Sequence, residues 1–238
     1  GVVHRHTITS ATAGREYTFQ VYTPPGYDPR AARTYPVVVL FHGYGDDETA
    51  WIDNGRAHLI ADNLIARGAM KPAVIVMPYG HPIPFPLERV EEYFVENLPA
   101  MERTLLDELL PFVEREYRVA TASAQRAIVG LSMGGGHALG IGLNHPETFQ
   151  WVGAFSAAVP PGEPATFFPG AAAAKASHNP RLLWIAIGRD DFLLQRNESF
   201  RSWLAQREAP FTYKLTDGGH EWTNWRNYLA EFLPLLFR

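Results

Sequence analysis

Short, continuous apolar runs separated by helical stretches most constrain how this 238-residue chain can fold. Residues 35–41 form a largely β-branched run, which is typical of a central strand covered on both faces. Residues 73–77 form a second run of this type. Other strand-like segments are residues 15–23, 126–131, 151–155, 182–187 and 211–215.

Stretches with helical periodicity lie between these runs. Residues 96–117 are the longest, with Pro99 near the start and Pro111 as an expected kink or break. The others are residues 57–67, 134–144, 197–207 and 223–233. Strands that alternate with helices predict an α/β fold, with a mostly parallel central sheet and helices on both faces. Functional residues are then expected just beyond the carboxyl ends of the strands.

The composition is that of a globular chain with a sizeable core. Hydrophobic residues make up 46% and charged residues 19% of the sequence, so disorder is not expected. We predict a single domain over residues 1–238. Residues 157–180 are rich in Pro, Gly and Ala, and we expect them to form an irregular insert without an ordinary strand or helix.

Charge and residue types exclude several classes of partner. The net charge is -4 and no basic stripe is present, so nucleic acid is not an expected partner. The apolar runs are far shorter than the ~20 residues of a membrane helix, so no membrane partner is expected. The chain has no cysteine, which removes disulfides, thiolate metal sites and a cysteine nucleophile. No metalloprotease, P-loop or dinucleotide motif is present, so we predict neither a metal nor an organic cofactor.

A G-x-S-x-G motif follows the predicted strand 126–131. It places Ser132 between Gly130 and Gly134, directly before a predicted helix. Small residues on both sides let the strand and the helix approach each other at a sharp turn, and the helix N-terminus can stabilise negative charge. A glycine-rich turn with an incidental serine is the alternative. The position between a strand and a helix favours Ser132 as a nucleophile.

A second glycine motif, His42-Gly43-Tyr44-Gly45, follows the buried run 35–41. Acyl transfer needs N–H donors aimed at a tetrahedral oxyanion. We expect the amides of Tyr44 and of Met133, the residue after the nucleophile, to supply them. His42 is expected to hold the loop rather than to take part in the chemistry, and a plain two-glycine turn is the alternative.

A serine nucleophile needs a histidine that takes its proton. The histidines after Ser132 are His137, His145, His178 and His220. The first two fall inside or at the end of a predicted helix, and the third falls in the insert. His220 lies in a glycine-containing loop after the last predicted strand, where a base is expected.

The histidine in turn needs a carboxylate that orients its ring. Asp190 and Asp191 both follow the predicted strand 182–187. Position alone does not choose between them.

These motifs together resemble the putative-esterase family, which includes carbohydrate esterase family 1. The resemblance covers nearly the whole chain and is carried by four motifs: His-Gly-Tyr-Gly at 42–45, Gly-Leu-Ser-Met-Gly-Gly at 130–135, Gly-x-x-Asp at 188–191 and Gly-Gly-His-x-Trp at 218–222. It implies an α/β-hydrolase fold. It also implies that Asp191, three residues after Gly188, is the acid.

The family includes feruloyl esterases, acetylxylan esterases, S-formylglutathione hydrolases, siderophore esterases and mycolyl transferases. The compact length, the absence of cysteine and the late tryptophans are most similar to the feruloyl and acetylxylan branch. The resemblance therefore implies a serine ester hydrolase that releases phenolic acids from plant cell-wall polysaccharide through an acyl-enzyme. An acetylxylan esterase, or another small-acyl esterase or thioesterase, is the alternative.

Aromatic residues near the motifs favour a planar phenolic acyl group. Tyr44, Phe85 and Trp222 are candidates for substrate binding, whereas Phe192 and Trp225 are expected to be packing residues. The insert 157–180 is expected to form a partial lid or one wall of the acyl pocket, because long loops are commonly functional.

Other functions remain as alternatives. A transesterase would use the same residues with an acceptor alcohol, and a non-catalytic binding module would lack one of them. The expected partner is a small-molecule ester or a feruloylated oligosaccharide. The chain begins at Gly1 rather than Met, and we expect a secreted or periplasmic protein, with the cytoplasm as the alternative.

Overall fold

An eight-stranded sheet forms the centre of the molecule, in the order β1-β2-β4-β3-β5-β6-β7-β8. The computed structural model describes residues 1–86, 88, 90–173 and 179–238, apart from the side chains of residues 90 and 91. β1 pairs antiparallel with β2, and β2 pairs antiparallel with β4; the other neighbours are parallel. The strands are β1 Val2–Ser10, β2 Arg15–Thr23, β3 Val37–Phe41, β4 Val74–Pro78, β5 Arg126–Leu131, β6 Trp151–Phe155, β7 Leu182–Gly188 and β8 Thr212–Thr216.

Helices cover both faces of this sheet. Strands β3, β4, β5 and β6 are buried along their whole length, which explains their continuous apolar sequences. One core cluster joins the sheet to α1, α2 and α9, and another joins it to α3, α4, α5 and α8. The helices are α1 Ala50–Asp53, α2 Ala57–Ala66, α3 Val90–Arg103, α4 Leu110–Glu116, α5 Met133–Asn144, α6 Pro164–Phe167, α7 Pro169–Ala173, α8 Leu194–Gln206 and α9 Trp222–Phe232. The predicted α/β-hydrolase architecture is therefore confirmed.

The register of two central strands places the glycine motifs side by side. β3 and β5 are parallel neighbours, and Phe41 lies opposite Gly130. The loop that starts at His42 and the turn at Ser132 consequently leave the sheet at the same edge. This is the edge at which open α/β sheets bind ligands.

The first strand and the first helix were not predicted. β1 lies at the sheet edge and alternates exposed with half-buried residues, so it has no apolar run. Its pairing with β2, from Val2 opposite Thr23 to Ser10 opposite Arg15, is what makes it a strand.

The long predicted helix 96–117 differs from expectation in its start and in its middle. It begins earlier, as α3 at Val90, and Pro99 lies inside that helix. Residues Thr104–Leu109 form a π-helical turn, and α4 follows directly. Of the expected kink or break at Pro111, the break is therefore wrong, because the helix continues through this residue. The wider turn ahead of Pro111 is the kind of local adjustment that accommodates a residue without an N–H.

The insert contains regular structure, which corrects the expectation that it has none. Residues 164–167 and 169–173 form the short helices α6 and α7. Between them, Phe168 is fully buried and packs against Phe200 and Trp203. This ring and the hydrogen bonds of Asn144 to Phe167 and Gly170 anchor the segment. None of the described helices is both long and apolar enough to span a bilayer.

Candidate active site

Ser132 lies at the turn between β5 and α5 in a backbone conformation that side chains rarely adopt. Its φ is 53° and its ψ is -119°. A Cβ at Gly130 would lie 2.3 Å from the carbonyl oxygen of Gly134, and a Cβ at Gly134 would lie 2.4 Å from the carbonyl oxygen of His42. Glycine is required at both positions because the neighbouring atoms are backbone. The crossing of β5 and α5 thus holds Ser132 at the sheet edge.

His220 bridges Ser132 and Asp191. The distance from Ser132 Oγ to His220 Nε2 is 2.9 Å. The other ring nitrogen, Nδ1, lies 2.9 Å from Oδ2 and 3.1 Å from Oδ1 of Asp191. The three side chains come from different loops, after β5, β7 and β8 respectively. In this arrangement His220 can take a proton from Ser132 while Asp191 stabilises the resulting imidazolium.

Burial separates the two adjacent carboxylates. Asp191 is 4% exposed, whereas Asp190 lies on the surface. Burial by itself would raise the pKa of Asp191, but hydrogen bonds from His220, the Leu193 amide and Ser156 outweigh it and lower that pKa. The carboxylate of Asp191 is therefore held ionised beside the histidine.

Ser156 supports Asp191 from behind and was missed in the sequence. It is fully buried at the end of β6, with a φ of 46°. Its hydroxyl bonds to Asp191 and accepts a hydrogen bond of 3.0 Å from Trp225 Nε1. Trp225 is itself buried and contacts His220 edge-on, at 4.9 Å between ring centroids. It is the packing residue that we expected.

The amide of Met133, the predicted oxyanion donor, directly follows Ser132 in the chain. Met133 is the first residue of α5, and amides at the first helical positions have no partner within the helix. The Gly43 loop lies against the nucleophile, since a Cβ at Gly43 would be 3.4 Å from Ser132 Cβ. Tyr44 follows in that loop.

His42 orients the loop and does not reach Ser132 in the described contacts. Its Nε2 accepts a hydrogen bond of 2.7 Å from the Gly80 amide, so its proton is on Nδ1, which donates to the Gly43 carbonyl at 2.8 Å. Burial lowers the pKa of His42 to about 4, which keeps the ring neutral. A trans peptide directs its N–H away from its carbonyl, so the bonded Gly43 carbonyl fixes the direction of the Tyr44 amide.

A cavity of about 360 Å³ opens at Ser132. Its walls are mainly apolar and aromatic, with one arginine. The lining residues are Tyr44, Phe94, Ser132, Ala158, Phe192, Leu193 and Arg196. This size suits one small acyl or aromatic group.

The structure sorts the candidate aromatic residues. Tyr44 lines the cavity, as proposed. Phe85 is not among the described lining residues; it packs against the Tyr44 ring, with ring centroids 4.6 Å apart. Trp222, which we expected to bind substrate, packs against Trp51 and Trp225 and is not among the described cavity residues. The expectation that Phe192 only packs is wrong. Phe192 is 75% exposed, and its ring lies 4.4 Å from that of His220 at the cavity.

Several lining residues had no signal in the sequence. Phe94 and Arg196 lie on α3 and α8, whose cavity-facing positions become evident only when the helices are placed on the sheet. Of the insert, Ala158 lines the cavity, whereas Gly170 packs against the end of α5. The first residues of the insert therefore form part of a wall.

The remaining histidines after Ser132 do not join the site. His137 is buried within α5 beside Asn97, and His145 pairs with Glu102 and Glu147. His178 lies outside the described residues. Within the described chain, no group of His, Cys, Asp or Glu is arranged to hold a metal ion.

Several known proteins are similar to this chain in sequence and in fold. The model of the family described as "Putative esterase" matches residues 10–236. The chain belongs to the putative esterase family. Its fold is that of the α/β-hydrolase esterases.

The curated relatives include enzymes with two kinds of acyl specificity in their names. An endo-1,4-beta-xylanase/feruloyl esterase from Xylanibacter ruminicola is 37% identical over 159 residues, which are 66% of this chain and 22% of that protein. The chain thus spans about a fifth of that relative's length. An acetyl esterase from Caldicellulosiruptor saccharolyticus is 24% identical over 225 residues, covering 80% of this chain and 79% of that protein.

Solved structures of esterases share the fold. A ferulic acid esterase is 27% identical, with a TM-score of 0.82 over 98% of this chain and 97% of its own. A ferulic acid esterase from Anaeromyces mucronatus, in complex with ferulic acid, is 24% identical, with a TM-score of 0.84 over 99% and 90% of the two chains.

Proposed function

We propose that this enzyme is a feruloyl esterase that releases hydroxycinnamic acids from plant cell-wall polysaccharide. The observation that carries the proposal is the 2.9 Å contact between Ser132 and His220 at the mouth of an aromatic cavity. A planar phenolic acyl group would lie between Tyr44 and Phe94 on one side and Phe192 on the other. The names of the Xylanibacter relative and of the similar solved structures support this choice.

In the proposed acylation step, Ser132 Oγ attacks the ester carbonyl carbon and His220 takes the hydroxyl proton. The amides of Met133 and Tyr44 hold the oxyanion of the tetrahedral intermediate. The intermediate then collapses, and the alcohol portion leaves with the proton from His220. Asp191, supported by Ser156, keeps the imidazole oriented throughout.

Deacylation repeats the same transfers with water as the nucleophile. His220 takes a proton from water, which attacks the acyl-enzyme carbonyl, and Ser132 leaves as the protonated hydroxyl. The acid product then departs from the cavity. Apart from the ester and water, both steps use groups of this chain.

The alternative is a small-acyl esterase acting through the same residues. The relationship to an acetyl esterase over four fifths of the chain favours it as the second candidate. The two acyl groups place different demands on the cavity, because acetate leaves the aromatic walls unfilled.

A panel of esters separates the candidates. We expect kcat/KM for methyl ferulate and methyl p-coumarate to exceed that for methyl acetate, a comparison in which the leaving group is the same. A preference for methyl acetate or acetylated xylan would select the alternative. Ser132→Ala should lower kcat by about 10⁴-fold or more for every ester. Retention of near-normal turnover would contradict the mechanism.

The proposed substrate also bears on location. Plant cell-wall polysaccharide is outside the cell, so we propose that the enzyme is secreted or periplasmic. Fractionation of the native producer, with activity on methyl ferulate followed in medium, periplasm and cytoplasm, tests this proposal. Activity confined to the cytoplasm would contradict it.

A further inference from the structure

Asn97 is a fully buried polar residue of α3 that the proposed mechanism does not use. It makes no described contact with Ser132, His220 or Asp191. Buried amides are expected to make hydrogen bonds that matter to the structure around them, because an unpaired one is costly. The question is which groups Asn97 holds.

One set of bonds leads from Asn97 to the oxyanion loop. Its Nδ2 donates to the Gly80 carbonyl at 2.8 Å. The Gly80 amide donates to His42 Nε2 at 2.7 Å, and His42 Nδ1 donates to the Gly43 carbonyl at 2.8 Å. That carbonyl belongs to the peptide whose N–H is the amide of Tyr44. The chain of bonds therefore ends on one proposed oxyanion donor.

A second set of contacts leads from Asn97 to the other donor. Nδ2 lies 3.2 Å from His137 Nε2 and 3.9 Å from Met133 Sδ. Both partners belong to α5, whose first amide is that of Met133. Gly80 also packs against the Met133 side chain, since a Cβ at Gly80 would lie 3.1 Å from Met133 Cε.

The direction of the Asn97 amide follows from its partners. The Gly80 carbonyl can only accept, so it requires the NH₂ group of Asn97 rather than its oxygen. The second N–H of that group then faces His137 Nε2. One amide group thus links the loop after β4, which contains Gly80, to α5, the helix that follows Ser132.

We propose that Asn97 is a positioning residue for the oxyanion hole, fixing the amides of Tyr44 and Met133 relative to each other. The inference rests on the proposed ester hydrolysis at Ser132. α3 also carries Phe94, one turn before Asn97, in the cavity wall. The same helix therefore sets both the acyl wall and the donors that stabilise the transition state.

Asn97→Ala and Asn97→Leu test the proposal. Alanine removes the donor and its volume, whereas leucine removes the donor and keeps approximately the volume, which guards against a simple failure to fold. Thr104→Val is the matched control. Thr104 is also fully buried on the helical segment that continues α3, and its hydroxyl bonds to the Ala100 carbonyl rather than to either oxyanion loop.

The readouts must respond to the oxyanion hole rather than to stability alone. kcat and KM are measured per active site, titrated with a fluorophosphonate. Phenylboronic acid, which forms a tetrahedral adduct on the serine, reports the oxyanion hole. Coniferyl alcohol, which has the ferulate ring and no carbonyl, reports the aromatic walls.

Both Asn97 variants should lower kcat by about 10- to 100-fold, which is no more than the effect of removing one oxyanion donor. The KM of each variant should stay within about 2-fold of the wild-type value. Affinity for phenylboronic acid should fall by a similar factor, and affinity for coniferyl alcohol should not change. Thr104→Val should lower the melting temperature and leave kcat and the boronate affinity unchanged. Unchanged kcat in a folded Asn97 variant, or equal losses for both probes, would overturn the inference.

The outcome is separable from that of the proposed function. If the wild type hydrolyses p-nitrophenyl acetate but not methyl ferulate, the feruloyl proposal fails and the Asn97 test proceeds with acetate. If the wild type hydrolyses no ester and takes up no fluorophosphonate, the proposed function itself is wrong. Wild-type activity with undiminished activity in both variants contradicts only the inference about Asn97.

Discussion

At the scale of single residues, the site depends on which side chains the fold exposes and which it buries. Asp191 is buried and bonded, whereas Asp190, its neighbour in sequence, is exposed. Phe192, the next residue, is three quarters exposed beside His220. An exposed aromatic ring at a cavity can gain apolar burial when a ligand covers it. We therefore expect Phe192 to discriminate between acyl groups.

Phe192→Ala should lower kcat/KM for methyl ferulate by about 10-fold, since it removes one wall of the ring slot, worth about 1.4 kcal/mol. The same variant should change kcat/KM for methyl acetate by less than about 2-fold, because acetate does not reach that wall. Phe192→Leu serves as the control that keeps apolar volume and should show an intermediate loss. Equal losses for both esters would mean that Phe192 acts on His220 instead.

Ser156 is the second residue whose role follows from its contacts. It connects Trp225 to Asp191 and lies behind the acid rather than in the cavity. Ser156→Ala should lower kcat by about 10-fold, the effect of removing one hydrogen bond to a charged group, and leave KM nearly unchanged. Stopped-flow measurement of p-nitrophenol release with p-nitrophenyl acetate checks both the burst and the steady rate. An altered KM with the wild-type kcat would contradict a role behind Asp191.

At the scale of elements, the crossing of β5 over α5 decides whether Ser132 can be presented at all. A Cβ on Gly134 would meet Phe41 Cβ at 2.6 Å as well as the His42 carbonyl oxygen. These atoms belong to β3 and the residue after it, so they cannot move without shifting the central sheet. The separation of α5 from β3 is therefore set by the absence of a side chain.

Gly134→Ala should destabilise the protein by about 2 kcal/mol or more through overpacking. It should also slow fluorophosphonate labelling of Ser132, because the turn is displaced. Urea unfolding and labelling rates measure the two effects. Gly68→Ala is the matched control: its φ is 68° and no atom lies within 4 Å of its added Cβ, so only about 1 kcal/mol of backbone strain is expected. Wild-type labelling by Gly134→Ala would contradict the packing argument.

At the scale of the whole molecule, a cluster of neutral histidines joins the oxyanion loop to α5. Burial lowers the pKa of His42 to about 4 and those of His81 and His137 to about 3; His42 further lowers the pKa of His81, and His81 and His42 further lower that of His137. Arg15 further lowers the pKa of His81, whereas Asp47 and Glu48 partly oppose the shift at His42. In the unfolded chain the same groups have pKa values near 6.5.

The free energy of unfolding should therefore fall as the pH falls below about 6.5, because the unfolded chain then binds protons that the folded protein excludes. The loss should be complete only below about pH 3 to 4, and His42 alone should account for roughly 3 kcal/mol. Urea unfolding at steps between about pH 7 and pH 4 measures it. His137→Gln should reduce the slope, and a free energy that is constant across this range in the wild type would contradict neutral burial.

The sequence by itself determined the α/β class, the nucleophile elbow and the loop of the base, because each is encoded locally. Continuous apolar runs specify buried strands, and glycines on both sides of Ser132 permit only a tight crossing. The edge strand β1, the helical turns of the insert and the continuation of the helix through Pro111 were not predictable, since pairing and packing with distant residues produce them.

Only the tertiary structure decided which side chains face the site. It buried Asp191, which only the family resemblance had distinguished from Asp190, and it placed Trp222 in a tryptophan cluster and Phe192 in the cavity wall. It also connected Asn97 on α3 to the oxyanion loop through hydrogen bonds by way of Gly80 and His42. The physical reason is that a motif sets the backbone of its own few residues, whereas the direction of a side chain depends on the elements packed around it.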